Sequence, residues 1–279
     1  MRSRFPILFC DHFVGGFRSR RSLVLAGTYL LGFLLVSSVV IKLHRVAGIP
    51  VGEALDLSER GAPIAGFLRS LAADEGSSGV VEFVLSTPAI NLSLAVISLA
   101  LLPLLIVVFR HDIPSREMEA GTLRFLVWRV KRFPLLLSRF LGGVAEIAVV
   151  TLGSFLLVLV YALIEIPGIP VFKVLASASV LWVRLLPYTA AAVALALFFS
   201  VLAARSRRAL LYCCLGFFLL LFGTVFEAGA YLSPFSGRNL AGLFASAGSW
   251  PMWRSVLFYC GFAAAVYAAA QARFSRKDL

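Results

Sequence analysis

Residues that could carry catalytic or metal chemistry are few in this chain of 279 residues, and they are not grouped. The three histidines, His12, His44 and His111, are scattered singly, and the four cysteines show no C-x-x-C spacing. The sequence contains no H-E-x-x-H, no G-x-S-x-G and no acidic pair at helix-face spacing within an apolar segment. We therefore expect no catalytic residues, no metal site and no cofactor bound by this chain.

Among the ionisable residues inside or near the ends of strongly apolar segments, three are candidates for a gate or an intramembrane ion pair: Glu146, Arg184 and Glu227. A carboxylate in the middle of such a segment, as at Glu146, is costly in a membrane unless it is paired or faces water. It is either part of a conduit or gate, or an ion-pair partner for Arg139, Arg208 or a basic residue near the N-terminus. Arg184 and Glu227 lie near predicted outer ends of helices and could form a second pair.

The amino-acid composition indicates which type of secondary structure holds these residues. Hydrophobic residues make up 60% of the chain, charged residues 14%, and the mean hydropathy is +0.94, whereas soluble domains are about 45–50% apolar and about 25% charged. An ordinary soluble enzyme and a disordered chain are both excluded. We predict an all-α membrane protein, a single transmembrane domain over 1–279. Its six predicted transmembrane helices are 22–41, 89–109, 140–164, 187–203, 209–227 and 255–272.

The fourth predicted helix has an open boundary. Its apolar pattern could begin near Val174, but Arg184 and Pro187 interrupt it. A short helix from Pro187 and a longer helix broken at that proline are both compatible with the pattern.

Orientation follows from the distribution of basic residues. If the N-terminus is inside, the inside segments hold 18 Lys and Arg residues and the longer outside segments hold 8. The positive-inside rule then predicts a multi-pass protein of the inner or plasma membrane with both termini cytoplasmic. The net charge of +12 is explained by this topology, so nucleic acid is not an expected partner.

Two further segments flank the first predicted helix. In 1–21, five apolar side chains fall on one helical face, which predicts an amphipathic helix in the membrane interface. The loop 42–88 is predicted to be external and is a possible docking surface for another protein.

The predicted cytoplasmic loop 110–139 has more pattern than a simple connector. It reads as a short polar helix, a break at Gly121-Thr122, and an amphipathic helix that leads into the third span. Leu123, Phe125, Leu126 and Trp128 supply apolar surface to the second helix. Such a loop could present a rigid surface to a soluble partner.

This loop carries a family resemblance. The run Glu117-Met118-Glu119-Ala120-Gly121-Thr122-Leu123 resembles the E-x-E-x-G-T-L signature of ABC-2 type transporter permeases, which lies between spans two and three. The stretch 132–141 resembles the R-x-x-x-L-L-x-K-x-L run of the same family, with Arg139 in place of Lys, and the N-terminal amphipathic stretch resembles its elbow helix.

The resemblance implies the membrane-spanning subunit of an ATP-driven exporter. No G-x-x-x-x-G-K-[ST] motif occurs in the sequence, so ATP and Mg would bind to a separate ABC ATPase subunit. The resemblance also implies a homodimer or a pseudo-symmetric heterodimer. The residues that it assigns to the coupling helix docking into the ATPase are Asp112, Arg116, Glu117, Glu119, Gly121 and Thr122; an ordinary solvated helix cap is the alternative.

Two other functions remain open from the residues alone. An ATP-independent, ion-coupled carrier is favoured by Glu146 and by the interruption at Pro187. A non-transporting membrane scaffold could use 110–139 and 42–88 as docking surfaces on the two faces of the membrane. The substrate is not encoded in any recognisable motif.

Overall fold

The computed structural model describes residues 5–18, 20–46, 87, 89–111, 113–165, 170–203, 205–224, 231, 233–245 and 249–276. This part of the chain is built from α-helices and the turns that join them. In chain order they are α1 Phe5–Arg18, α2 Arg20–Val46, α3 Ala89–Arg110, α4 Ser115–Glu119, α5 Thr122–Arg129, α6 Arg132–Glu165, α7 Val171–Leu202, α8 Ser206–Gly223, α9 Gly237–Leu243 and α10 Trp250–Ser275.

Five helical segments of the described chain are long and apolar enough to cross a membrane. One is Leu94–Glu119, which contains most of α3, and the others are α6, α7, α8 and α10. The predicted first span, 22–41, lies within α2, whose apolar part Leu23–Val39 is shorter than these segments. The described part of the chain is therefore all-helical, and the chain is a multi-pass membrane protein.

The helix around the predicted fourth span is longer than the range 187–203. It runs from Val171 to Leu202 and continues through Pro187 without a break. Proline is tolerated inside a membrane helix because neighbouring helices compensate for the backbone groups that it leaves free. The start predicted at residue 187 is therefore wrong for the helix.

Helix α7 is the centre of the bundle. It packs against α3, α6, α8 and α10, and seven consecutive residues, Ala191–Leu197, are buried. Four of these seven are alanine, and small side chains let helix backbones approach closely where dispersion rather than the hydrophobic effect drives packing. The spans are thus organised around one helix that touches four others.

The two ends of the bundle differ in how they are closed. At one end lie α4 and α5, which connect α3 to α6 along the chain; we call this the coupling end, and it is the predicted cytoplasmic end. At the other end the short helix α9 is capped by the Ser236 side chain, which accepts a hydrogen bond from the Asn239 N–H. Tyr259 of α10 donates to the Pro234 carbonyl at 2.7 Å and fixes this cap onto the bundle.

Candidate functional site

The segment at the coupling end is a helix–turn–helix. After α3 ends at Arg110, α4 occupies five residues and stops at Ala120. Gly121 then has φ +71°, a left-handed conformation that glycine adopts without a steric penalty. Thr122 begins α5, and its hydroxyl donates to the Glu117 carbonyl at 3.3 Å. The turn therefore brings the start of α5 back against α4.

The N-terminus of α4 is attached to the end of α7. The backbone N–H of Ser115 donates to the Ser200 hydroxyl at 3.1 Å, and both residues are fully buried. The first N–H groups of a helix have no partner within the helix, so Ser200 satisfies a group that would otherwise be buried without a hydrogen bond. This contact joins the loop to the central helix of the bundle.

The middle of α4 is attached to α6 by an ion pair between Glu117 and Arg139. The Arg139 side chain is 3% exposed and the Glu117 side chain is 32% exposed. A buried guanidinium requires a counter-charge, and Glu117 supplies it. The carboxylate thus faces α6 rather than the solvent.

The end of α4 is attached to α8. Glu119 accepts a hydrogen bond from the backbone N–H of Ser206 at 3.1 Å, at the first residue of α8. Arg205, at the N-cap position, makes no side-chain cap bond, so Glu119 does for α8 what a capping side chain usually does. Helix α4, which is only five residues long, is consequently bonded to α6, α7 and α8.

Helix α5 adds apolar contacts to these polar ones. Leu123 is fully buried in a small cluster with Leu135, Leu136, Leu197, Val201, Ala270 and Phe274, which come from α6, α7 and α10. The Arg132 guanidinium donates to the Phe274 carbonyl at 3.2 Å and holds the end of α10 at the same place. The coupling end is therefore a packed structural unit.

One face of α5 points away from this unit. Phe125 is 75% exposed and Trp128 is 91% exposed, and residues three apart on a helix share a face. Exposed aromatic pairs of this kind are typical of protein interfaces. Both residues belong to the apolar surface predicted for the second helix of the loop.

The residues predicted for ATPase docking therefore fall into two groups. Glu117 and Glu119 bind to the spans of this chain, whereas Arg116 and Thr122 are exposed and Gly121 forms the turn. Asp112 lies outside the described residues. Sequence reasoning assigned Ser115 to a turn and helix cap but did not predict the contacts of Ser115, Ser200 and Ser206, because small polar residues at helix ends carry no pattern that identifies a partner about 85 residues away.

Glu146 is buried near the coupling end, where it pairs with Arg110 at the end of α3. The partner is none of those considered from the sequence: Arg139 pairs with Glu117, and Arg208 is exposed. The Arg110 guanidinium also donates to the Gly142 carbonyl at 3.2 Å and to His12 Nε2 at 3.2 Å. One arginine thereby joins α1, α3 and α6.

His12 takes part in this cluster as a neutral acceptor. Burial, together with the positive charges of Arg110 and Arg139, lowers the pKa of His12 from 6.5 to about 3. The close approach of α1 is possible because Gly142 has no side chain: a Cβ there would lie 2.8 Å from His12 Cδ2. The neighbouring Gly143 leaves room for the Arg110 guanidinium, which a Cβ would approach to 3.3 Å.

Arg184 belongs to the opposite end of the bundle. Its guanidinium donates to the carbonyls of Leu243 at 3.4 Å and Ala245 at 2.9 Å, so it binds the C-terminal end of α9. Glu227, the partner considered for it, lies outside the described residues. The structure does not bring Glu146 and Arg184 together, since they are bonded to elements at different ends of the bundle.

An apolar cavity of about 480 Å³ lies between α3 and α8, a volume within the about 300–1,000 Å³ of small-ligand sites. Tyr188 of the central helix and Phe235 close its inner side. The described residues contain no group of three or more His, Cys, Asp or Glu side chains that could hold a metal ion.

These observations define a class of protein: a multi-pass helical membrane protein whose coupling end carries a helix–turn–helix bonded to three apolar helices. A family model described as ABC-2 family transporter protein matches residues 18–279. The chain therefore belongs to the ABC-2 family and is a transmembrane transport permease. Comparison of the sequence with curated proteins gives no match.

Proposed function

We propose that this chain is the permease subunit of an ABC exporter and that ATP hydrolysis by a separate ABC ATPase subunit drives its motion. The observation that carries the proposal is the attachment of α4 to three helices through Ser115, Glu117 and Glu119. A force on α4 is transmitted to α6, α7 and α8 together, because stiff helices joined by short polar contacts move as a unit. Membership of the ABC-2 family supports the ATPase as its source.

The docking face for the ATPase consists of the exposed side chains of this unit: Arg116 and Thr122 beside the turn, and Phe125 and Trp128 on α5. Glu117 and Glu119 act behind this face as positioning residues, since they hold α4 against the spans. ATP and Mg bind to the partner subunit, and this chain contributes no catalytic residue. The same proposal includes export as the direction of transport and a cytoplasmic location for both termini. It also includes α2 as a sixth span and α1 as an interfacial elbow helix.

The cycle requires two permease chains, as a homodimer or a pseudo-symmetric heterodimer, beside two ATPase subunits. Closure of the ATPases on ATP moves α4 of each chain and thereby changes the packing of α7 against α3 and α8. The cavity between α3 and α8 lies at this packing contact and is lined almost entirely by apolar side chains, which favours a hydrophobic substrate or lipid as cargo.

The experiment replaces both exposed aromatic side chains of α5 and measures how much ABC ATPase is retained on the purified permease. For the double variant Phe125→Ala with Trp128→Ala we expect at least about tenfold weaker retention of the ABC ATPase on purified permease, because two aromatic side chains commonly dominate such an interface. Permease-dependent ATP hydrolysis should fall in parallel.

The matched control is Trp250→Ala with Trp253→Ala, which removes two exposed aromatic side chains from the start of α10 at the other end of the bundle. This control should keep the complex. Full retention of the complex and of ATP hydrolysis by the Phe125 and Trp128 variant would remove the docking face from the proposal.

A further inference from the structure

A second feature of the coupling end is an apolar groove beside α8. Both α8 and α10 pack against α7, and they leave an open groove between them. Its cavity is about 520 Å³, and the accessible surface of its lining is entirely apolar. The lining comes from the last turns of α7 and the facing sides of α8 and α10, and it includes Phe199, Tyr212, Leu215, Gly216, Leu219 and Ala269.

The depth of the groove is set by one glycine. At Gly216 a Cβ would collide with the ring of Phe199, so the α8 backbone lies directly against α7 and forms the floor. The walls are the side chains of α8 and α10 that project on either side of this contact. The groove opens sideways, toward the region that a bilayer occupies around a membrane-spanning bundle.

Arginine side chains lie at the coupling end of both walls. On α8, Arg208 is four residues before Tyr212 and heads the same helical face as Leu215 and Leu219. On α10, Arg273 is four residues after Ala269 and follows the face that lines the groove. Both arginine side chains are exposed.

A polar cavity of about 710 Å³ adjoins the start of α8 and is lined by Arg205, Arg207, Arg208 and Glu119. Three positive charges and one negative charge leave a net charge of +2. The Glu119 carboxylate already accepts from the Ser206 N–H, while the three arginine side chains are exposed. This cavity is therefore suited to a further anion.

The length of the groove matches one leaflet of a bilayer. From Arg208 to Leu220 the helix rises about 18 Å at about 1.5 Å per residue, and the hydrocarbon of one leaflet is about 15 Å thick. A molecule that fills both parts must have an anionic head and an apolar chain of about this length.

We infer that the groove and the arginines form a binding site for one anionic phospholipid of the cytoplasmic leaflet, with its phosphate at Arg207, Arg208 and Arg273 and an acyl chain along Tyr212, Leu215 and Leu219. Guanidinium groups pair well with phosphate oxygens, and basic pockets on the cytoplasmic side of membrane helices bind lipid head groups. The lipid is a resident of the site, separate from any transported cargo, and it stabilises α8 against α7 and α10.

The test measures phospholipid bound to the purified permease alone, by native mass spectrometry with phosphatidylglycerol and phosphatidylcholine as probes. We expect one phosphatidylglycerol to be retained in preference to phosphatidylcholine. Arg208→Gln with Arg273→Gln should weaken that preference at least about tenfold, at about fivefold for each arginine near an anionic head group. Ala269→Phe, which fills the groove from an exposed position, should abolish retention of the bound lipid.

Each variant has a matched control. Arg18→Gln with Lys131→Gln removes two exposed positive charges that do not line the groove. Ala268→Phe adds the same ring at the preceding position of α10, which is also exposed. Both controls should bind phosphatidylglycerol like the wild type. Equal retention of the two phospholipids, or unchanged binding in both test variants, would identify ordinary boundary lipid only and overturn the inference.

The result of the lipid-binding test is independent of the docking proposal, because bound phospholipid is measured without an ATPase present.

Discussion

At the residue scale, the polar contacts of the coupling end are determined by which charges are buried. Arg139 is almost fully enclosed, so its charge would be uncompensated without Glu117. The acidic residues of the family motif thus have a structural role inside the permease, which the motif alone does not specify. This role separates the residues that hold α4 from those that face outward.

The pair predicts a clear difference between neighbouring residues of α4. Glu117→Ala should lower the free energy of unfolding by about 1–3 kcal/mol, because it leaves a buried guanidinium without its partner. Arg116→Ala, at the exposed neighbouring position, should change it by less than about 0.5 kcal/mol. Thermal unfolding of both variants in the same detergent measures the difference.

Exchange of the two charges is the control for this prediction. Glu117→Arg combined with Arg139→Glu keeps one positive and one negative group at the contact and should recover most of the stability that Glu117→Ala loses. Equal unfolding temperatures for Glu117→Ala and Arg116→Ala would contradict an energetic role of the pair.

A second residue-scale prediction concerns pH. The pKa of His12 is about 3 in the folded protein and 6.5 in the unfolded chain, so between these values the unfolded state binds more protons and stability rises with pH. Protonation is disfavoured first by burial of the imidazole and then by Arg110 of α3 and Arg139 of α6, whose own ion-pair partners are Glu146 and Glu117.

Acidification from pH 7.5 to pH 5 should therefore lower the unfolding temperature of the wild type more than that of His12→Gln. The glutamine retains an acceptor for Arg110 but does not titrate. We expect the excess loss to be about 4–8 °C, the shift that corresponds to about 2 kcal/mol in a domain of this size. Parallel pH profiles of the two proteins would show that His12 does not contribute.

At the element scale, α1 depends on a close approach to α6. The contact is made where Gly142 faces the ring of His12, and a rigid ring cannot withdraw as a long flexible side chain could. The position of α1 is thus fixed by the absence of a side chain on its neighbour.

Gly142→Ala should accordingly destabilise the protein by about 1–2 kcal/mol, since the overlap outweighs the better helix propensity of alanine. Gly32→Ala is the matched control, because a Cβ there meets nothing within 4 Å; it should be neutral or stabilising by up to about 1 kcal/mol. The unfolding temperatures of the two variants, measured under the same conditions, test this difference. A stabilising effect of alanine at both positions would contradict the tight contact between Gly142 and His12.

Helices were predictable from the sequence to different degrees. The hydropathy of α3, α6, α7, α8 and α10 is a local property, and each of these helices overlaps a predicted span. The start of α7 was not predictable, because whether Pro187 breaks a helix depends on the neighbours that pack around it.

Partners within the site were harder to predict than elements. Glu146 was expected either to belong to a conduit or gate or to pair with a basic residue, and the choice of Arg110 as its partner depends on how α3 and α6 are rotated and offset relative to each other. The same holds for Glu117 and Glu119: their spacing of two places them on different sides of α4, and the packing of the spans determines what each side meets.

At the scale of the whole molecule, the coupling end and the opposite end have different compositions. Among the described residues, the coupling end carries most of the basic side chains and the exposed aromatic face of α5, whereas the opposite end is closed by α9 and by backbone contacts to Arg184. A permease driven from one side of the membrane requires this asymmetry, since the energy source has access to one end only.

The most direct measurement is photo-crosslinking from position 128 in membrane vesicles that contain the permease and an ABC ATPase encoded beside it. With a benzophenone amino acid in place of Trp128, we expect a covalent adduct with the ATPase, whereas the same replacement of Trp250 should give none. Capture of the ATPase from position 250, or from neither position in vesicles that contain an intact complex, would contradict the assignment of α4 and α5 as the coupling element.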